Sequence, residues 1–331
     1  MTTAQATRLG TVALVELRTP DAGGSTDFYH RLFGWDLTDL GRHILAEAEE
    51  RSAAVIHPLQ PTIGDPALPG EWTIGFRVDD LRRRAERVIE LGGGIVEPPS
   101  ESPEGWRSAQ AIDPTGGAFT LIEAGPAIGV AFGGSAAGTL GWCELESTDP
   151  ALAAPFYRDL FGWEIVFDTE TSYTTFFADK LPMGGVRRRL GDGNSRWIPY
   201  FNTHSLEDSV AVVRAGDGHP GPRQRYEQFR FCQIDDPSGA VFALIETAPP
   251  GTAADQPAGL ADRVADLVRE GNRRHIVVSD RHGHRIVEIP LTIGVLGAAV
   301  APVASAAGTV AALAARWSFS VVSPRPEERK R

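Results

Sequence analysis

The ten residues FYHRLFGWDL at 28–37 return almost unchanged as FYRDLFGWEI at 156–165. A chain that repeats such a stretch folds as repeated units, and the extent of the repeat sets the domain count. A shift of 128 residues superposes Glu16-Leu17 on Glu144-Leu145, Asp21 on Asp149 and Leu32-Phe33-Gly34-Trp35 on Leu160-Phe161-Gly162-Trp163. A shift of 123 superposes Arg107 on Arg230, Asp113-Pro114 on Asp236-Pro237 and Leu121-Ile122-Glu123 on Leu244-Ile245-Glu246. The slip between the two shifts needs a deletion, which loops tolerate. Residues 8–124 and 138–248 therefore read as two modules, joined by a small-residue linker at 125–137.

Each module divides again. TVALVELRT (11–19) is a strand candidate, followed by a helix from about Ser25 to Phe33 that Gly34 stops. Strand-like runs come near 43–47 and 53–57. WTIGFRV (72–78) restarts the pattern, Asp79-Asp80 caps LRRRAERVIELGG, and strands follow near 94–97, 107–112 and 118–123. The order β-α-β-β-β thus occurs twice per module. In the repeated stretch, Phe156, Leu160 and Trp163 share one helix face, so the motif reads as a helix-to-strand corner packed into each module's own core.

A strand ending in Asp, the FY…LFGW helix, VDD before a second helix and DPTGGAFTLIE at the close, in order and twice over, resemble the vicinal oxygen chelate superfamily. Glyoxalase I, extradiol dioxygenases and bleomycin-type resistance proteins are members. GTLGWCELESTDP and WTIGFRVDD are most similar to a two-module, glyoxalase-like subgroup that includes a mycobacterial culture-filtrate antigen. The resemblance covers residues 8–248 and implies an α+β fold: tandem modules of paired βαβββ units with cupped sheets. It does not fix the chemistry, because one fold hosts many functions.

Metal-using relatives place His, His and Glu on the first, fifth and last strands of a module. The resemblance carries those positions onto Leu14, Thr73 and Thr120 in the first module and Trp142, Ile198 and Ala243 in the second. None of the six is a His or Glu, so no metal and no cofactor are expected. His57 is the alternative ligand from elsewhere. Glu123 and Glu246 lie an odd number of residues from the ligand position and so point to the opposite face.

If the ligand positions face inward, their i+2 neighbours do too. That places Glu16, Gly75 and Ile122 inside module one, and Glu144, Tyr200 and Ile245 inside module two. Trp142, Glu144 and Tyr200 then make an aromatic wall with one carboxylate and one phenol, the leading candidate site. Leu14, Glu16, Thr73 and Thr120 make the smaller one, and Ile198 and Ala243 complete the second lining. Glu144 and Glu16 are candidate general bases if burial raises their pKa values. The plainer reading pairs each with an arginine, Arg107 or Arg230, as a strand tether. Asp113-Pro114 and Asp236-Pro237 read as turns.

A net charge of −11 argues against a nucleic-acid partner. Arg82-Arg83-Arg84 reads as a solvated helix face, and Cys143 and Cys232 as buried free thiols. MTTAQATRLG lacks a charged segment followed by an apolar one, which points to a bacterial cytoplasmic location.

Beyond a linker at 249–258, residues 259–323 form a small α+β domain, with a tail at 324–331. Leu260, Val264, Leu267 and Val268 share a helix face, HIVVS and RIVEI flank a hairpin turn carrying His282 and His284, and WSFSVV reads as a closing strand. The uncharged run 289–315, rich in Ala and Gly, is a self-associating helix or a membrane contact. The pattern resembles an uncharacterised bacterial domain. Three functions remain open: binding of a small organic molecule in metal-free cavities by sequestration or acid–base chemistry, a glyoxalase-like lyase or isomerase acting on aldehyde–thiol adducts, and a scaffold docking through the C-terminal domain.

Overall fold

The computed structural model describes residues 9–59, 68–101, 106–123, 130, 132, 135–169, 171–178, 180–226, 229–246, 275–280, 285–290 and 317–322. Module one runs β1 (Val12–Thr19), α1 (Ala22–Phe33), β2 (Asp36–Asp39), β3 (Ile44–Ala48) and β4 (Arg51–Pro58). Its second half is β5 (Glu71–Arg77), α2 (Leu81–Glu90), β6 (Gly94–Glu101), β7 (Arg107–Ile112) and β8 (Ala118–Glu123). Module two repeats this as β9 (Leu140–Ser147), α3 (Pro150–Phe161), β10 (Glu164–Asp168), β11 (Tyr173–Ala178), β12 (Leu181–Arg188), β13 (Arg196–Thr203), α4 (Leu206–Ala215), β14 (His219–Tyr226), β15 (Phe229–Asp235) and β16 (Val241–Glu246). The fourfold β-α-β-β-β order is present. Apart from Val166–Thr174, both modules lie in one compact unit.

Each module forms one eight-stranded mixed sheet, in the orders β2-β3-β4-β1-β5-β8-β7-β6 and β10-β11-β12-β9-β13-β16-β15-β14. The two halves meet where β1 runs antiparallel to β5, and β9 to β13. Helix α1 begins at Ala22, earlier than Ser25, because the Asp21 side chain accepts a hydrogen bond from the Gly24 amide and caps it. Gly34 (φ 69°) and Gly162 (φ 73°) take the left-handed conformation that ends α1 and α3, and so turn the chain into the next strand.

Strand alternation divides each sheet into a helix-facing side and an opposite side. Trp72, Phe76 and Phe119 of module one and Trp197, Phe201 and Phe242 of module two lie on the helix-facing side and are buried. They pack on one another: Phe76–Trp197 ring centroids are 5.2 Å apart and Trp72–Phe201 5.3 Å. The aromatic corners therefore belong to a core shared by the two modules, which corrects the expectation of a separate core in each. Phe28 packs against Phe242, and Phe119 against Phe156. Trp35 Nε1 donates to the Gly138 carbonyl at 2.9 Å, and Trp163 Nε1 to that of Gly10 at 3.2 Å. A helix that buries one apolar stripe needs a second surface, and here each module supplies it to the other.

Arg83 and Arg84 pair with Asp79 at the helix surface, and Arg84 also donates to the Leu160 carbonyl across the module boundary. Cys143 and Cys232 are free and buried. Burial pushes both thiols up, Cys143 most.

Three further strands, β17 (His275–Asp280), β18 (Arg285–Pro290) and β19 (Trp317–Val322), form a sheet in the order β18-β17-β19, with β17 antiparallel to both neighbours. The hairpin and the closing strand read from the sequence are these elements. The helix around 260–271 and most of the apolar run 289–315 lie outside the described residues. Among the described residues no helix is long and apolar enough to cross a membrane.

Candidate functional site

The side of each sheet turned away from the helices carries the inward positions read from the sequence. In module two, β9 contributes Trp142, Glu144 and Glu146, all buried. Tyr200 is opposite Trp142, and Ile198 opposite Glu144, on antiparallel β13. Tyr200 Oη donates to Glu144 Oε1 at 2.9 Å, so that predicted pair is in contact. Ala243 lies beside Tyr200 on parallel β16.

The arginine partner differs from expectation. Arg107 pairs with Glu123 at 2.7 Å and Arg230 with Glu246 at 2.9 Å, both on the helix-facing side. The strands carrying Arg107 and Arg230 aim them away from Glu16 and Glu144. Glu144 is bound instead by Arg187 Nε at 2.6 Å. On β12, parallel to β9, Gly185 faces Glu144 and Arg187 faces Glu146, so one guanidinium reaches both carboxylates. Its Nη2 donates to Glu146 Oε1 at 2.7 Å.

Glu146 also accepts from Arg196 Nη2 at 3.0 Å and Gln233 Nε2 at 2.9 Å. Burial raises the Glu146 carboxyl, but Gln233, Arg187 and Arg196 outweigh it and hold it below its ordinary value. At Glu144 burial prevails over Arg187 and Tyr200, and the carboxyl is raised. Arg187 stays firmly charged between the two. Both carboxylates of this face are thus held in one ion-pair network.

Module one is arranged differently. Glu16 faces Thr73 across the β1–β5 pairing, and Leu14 faces Gly75. Thr120 Oγ1 donates to Glu16 Oε2 at 2.7 Å. His57, on β4 parallel to β1, puts Nε2 at ion-pair distance, 3.3 Å, from Glu16 Oε1. Burial raises the Glu16 carboxyl, and His57, Thr120 and Arg18 together outweigh it, so Glu16 is lowered and ionised at neutral pH. Thr73 is 1% exposed, and its hydroxyl has no hydrogen-bond partner among the protein groups. The His57 ring lies 5.7 Å from that of His43, which lies 5.7 Å from that of Trp106. Arg18 is held by Glu97 at 2.9 Å. Sequence reasoning missed Glu146, Arg187, Arg196 and Gln233. It named His57 only as a stray ligand; the charge run Arg187-Arg188-Arg189 beside an apolar strand was the one available signal.

Residues 9–121 match the Glyoxalase/Bleomycin resistance protein/Dioxygenase superfamily. That match falls on module one, and module two repeats its element order and sheet order. A protein of Mycobacterium tuberculosis named as a glyoxylase, CFP32, is 29% identical over 255 residues, covering 73% of this chain and 97% of that one. The anthracycline biosynthesis protein DauV of Streptomyces is 28% identical over 258 residues, covering 72% and 93%. Among solved structures, the Mn(II)-bound glyoxalase of Novosphingobium aromaticivorans is similar in fold at 13% identity, with a TM-score of 0.54 over 72% of this chain and 82% of that one. An extradiol ring-cleaving dioxygenase from B. fuscum has the same TM-score, 0.54, at 17% identity over 77% and 76%. Residues 255–322 match a domain of unknown function, DUF4342.

The metal of the metal-using relatives does not fit the donors of these two modules. Leu14, Thr73, Thr120, Trp142, Ile198 and Ala243 supply no imidazole or carboxylate, and Glu16 and His57 are two donors where a site needs at least three from the protein. Among the described residues no three His, Cys, Asp or Glu side chains converge as a ligand set.

Proposed function

We propose that this protein binds a small organic molecule on the face of module one turned away from the helices, through Glu16, His57, Thr73 and Thr120 over the apolar floor of Leu14. The observation that carries this reading is the Thr73 hydroxyl, buried without a partner beside an ionised carboxylate. Leaving a buried hydroxyl unbonded costs roughly 1–3 kcal/mol. A ligand group that supplies the missing partner removes that cost. In module two the position matching Thr73 is Ile198, and the carboxylates Glu144 and Glu146 already hold arginine, tyrosine and glutamine donors.

A second reading places acid–base chemistry in module two, at Glu144 with Tyr200 and Trp142. The raised Glu144 carboxyl, in contact with the Tyr200 hydroxyl, favours it. A thermal-shift screen of small organic molecules with the wild type, Thr73→Val and Trp142→Ala separates the two. Hits whose stabilisation falls in Thr73→Val and persists in Trp142→Ala support module one. The reverse pattern supports module two, and hits indifferent to both substitutions defeat both readings.

A further inference from the structure

We infer that the module-one site selects a neutral ligand hydroxyl, held between the Glu16 carboxylate and the Thr73 Oγ1. This rests on the proposed binding reading and names the group recognised. Across the sheet the order is His57 on β4, Glu16 on β1 and Thr73 on β5, with Glu16 between the other two.

An ionised carboxylate has about four acceptor positions and no donor. Thr120 fills one at Oε2, and His57 lies against Oε1. The remaining lone pairs call for a donor from the ligand. Thr73, opposite Glu16 in the antiparallel register, has one donor and two acceptor positions, all unused. Directly opposed side chains on one face of such a pair stand about 5 Å apart at Cβ. A single hydroxyl suits that gap, because it can donate to Glu16 and accept from Thr73 at once.

An ether could only accept. A carboxylate or phosphate would set its charge against Glu16, and Arg18, the nearest cation on the same strand face, is already engaged by Glu97 at 2.9 Å. A site built to bond a hydroxyl rejects an analogue lacking it by leaving its own buried groups unpaired. Trp106 and His43 supply ring surface beside His57, so an aromatic alcohol is a suitable probe. Glu16 and Thr73 are the residues that determine specificity; His57 positions Glu16.

The test uses the full chain with 2-naphthol, 2-methoxynaphthalene and 2-naphthoate, with affinities read by isothermal titration. The wild type is expected to bind 2-naphthol at least about tenfold more tightly than either analogue, the scale of one well-placed polar contact. Thr73→Val should abolish most of that preference while leaving thermal stability equal or higher, since it removes an unbonded buried hydroxyl. A merely structural threonine would lose stability instead. Glu16→Gln, which keeps size and an acceptor, should raise 2-naphthoate binding relative to 2-naphthol.

Equal affinity of the wild type for all three probes, lost in Leu14→Trp, would overturn the hydroxyl selection and leave binding at module one intact. Binding that survives Leu14→Trp in a variant that still unfolds cooperatively, or no binding of any probe, would overturn both.

Discussion

Tyr29 Oη donates a 2.8 Å hydrogen bond to Asp236 Oδ2, 207 residues away in the other module. Tyr157 does the same to Asp113 Oδ2 at 2.9 Å. Each tyrosine in turn accepts from an indole, Trp72 at 3.0 Å and Trp197 at 2.8 Å. The FY motif of one module is thus bonded to the DP motif of the other, and the exchange is reciprocal. The other oxygen of each aspartate, Oδ1, holds its own turn, through Thr115 and Gly117 in one case and Ser238 and Ala240 in the other. Burial and the neighbouring aspartate push both tyrosine hydroxyls well up, so they remain donors at any working pH.

Removing either donor leaves a buried carboxylate oxygen unpaired at the module boundary. Tyr29→Phe and Tyr157→Phe are each expected to cost about 1.5–3 kcal/mol, the range for hydrogen bonds to charged groups. Denaturant titration measures this. Equal losses for both, with the ligand profile of the screen unchanged, are the expected outcome; a change below about 0.5 kcal/mol would show that the relay contributes little.

The indole clasps set a second requirement. A Cβ on Gly138 would lie 2.7 Å from Trp35 Nε1, and one on Gly10 2.6 Å from Trp163 Nε1; both glycines have positive φ (73° and 72°). Gly138→Ala should therefore destabilise by about 1–3 kcal/mol, from strain and overpacking together. Gly34→Ala, also at positive φ but with nothing within 4 Å, bears the backbone cost alone and should lose less. Paired thermal denaturation of the two variants checks the order.

Arg187 lies between two buried carboxylates, whereas Arg107 is half-exposed beside Glu123. Arg187→Met should cost about 3–5 kcal/mol, because it strands buried charge. Arg107→Ala should cost no more than about 1 kcal/mol. Similar losses in the two variants would show that the network is not what holds this face.

Glu144 and Glu146 should give opposite pH dependence. The Glu146 carboxyl is lowered, so its stabilisation is present above its unfolded value near 4.5 and is lost as pH falls through the lower folded value. The Glu144 carboxyl is raised, so its contribution is present below about 4.5 and is lost as pH rises through the higher folded value. The stability gap between wild type and Glu146→Gln should therefore widen as pH rises through this window, and the gap for Glu144→Gln should narrow or reverse. Chemical denaturation across acidic to neutral pH gives both slopes, and parallel slopes would contradict the assignment.

Much of the site's facing was legible because a strand alternates with period two whatever it pairs with. Glu16, Thr73 and Thr120, and Glu144 with Tyr200, share faces as the offsets require. Arg187 was not legible, since its meeting with Glu144 depends on the parallel register of β12 on β9, which leaves no local signature. The same holds for His57 on β4.

The duplication by itself determined the tandem modules and the fourfold β-α-β-β-β order, which follow from local periodicity, caps and spacing. The mismatch at the metal-ligand positions is what the family resemblance implies for this sequence. Only the tertiary structure decided that the FYRDLFGWEI corner closes a core shared between modules, that module two's carboxylates are tied to arginines, and that Thr73 is left unbonded beside Glu16. Each depends on which distant strands become neighbours, and burial then gives a contact between residues 40 or 200 positions apart its energetic weight.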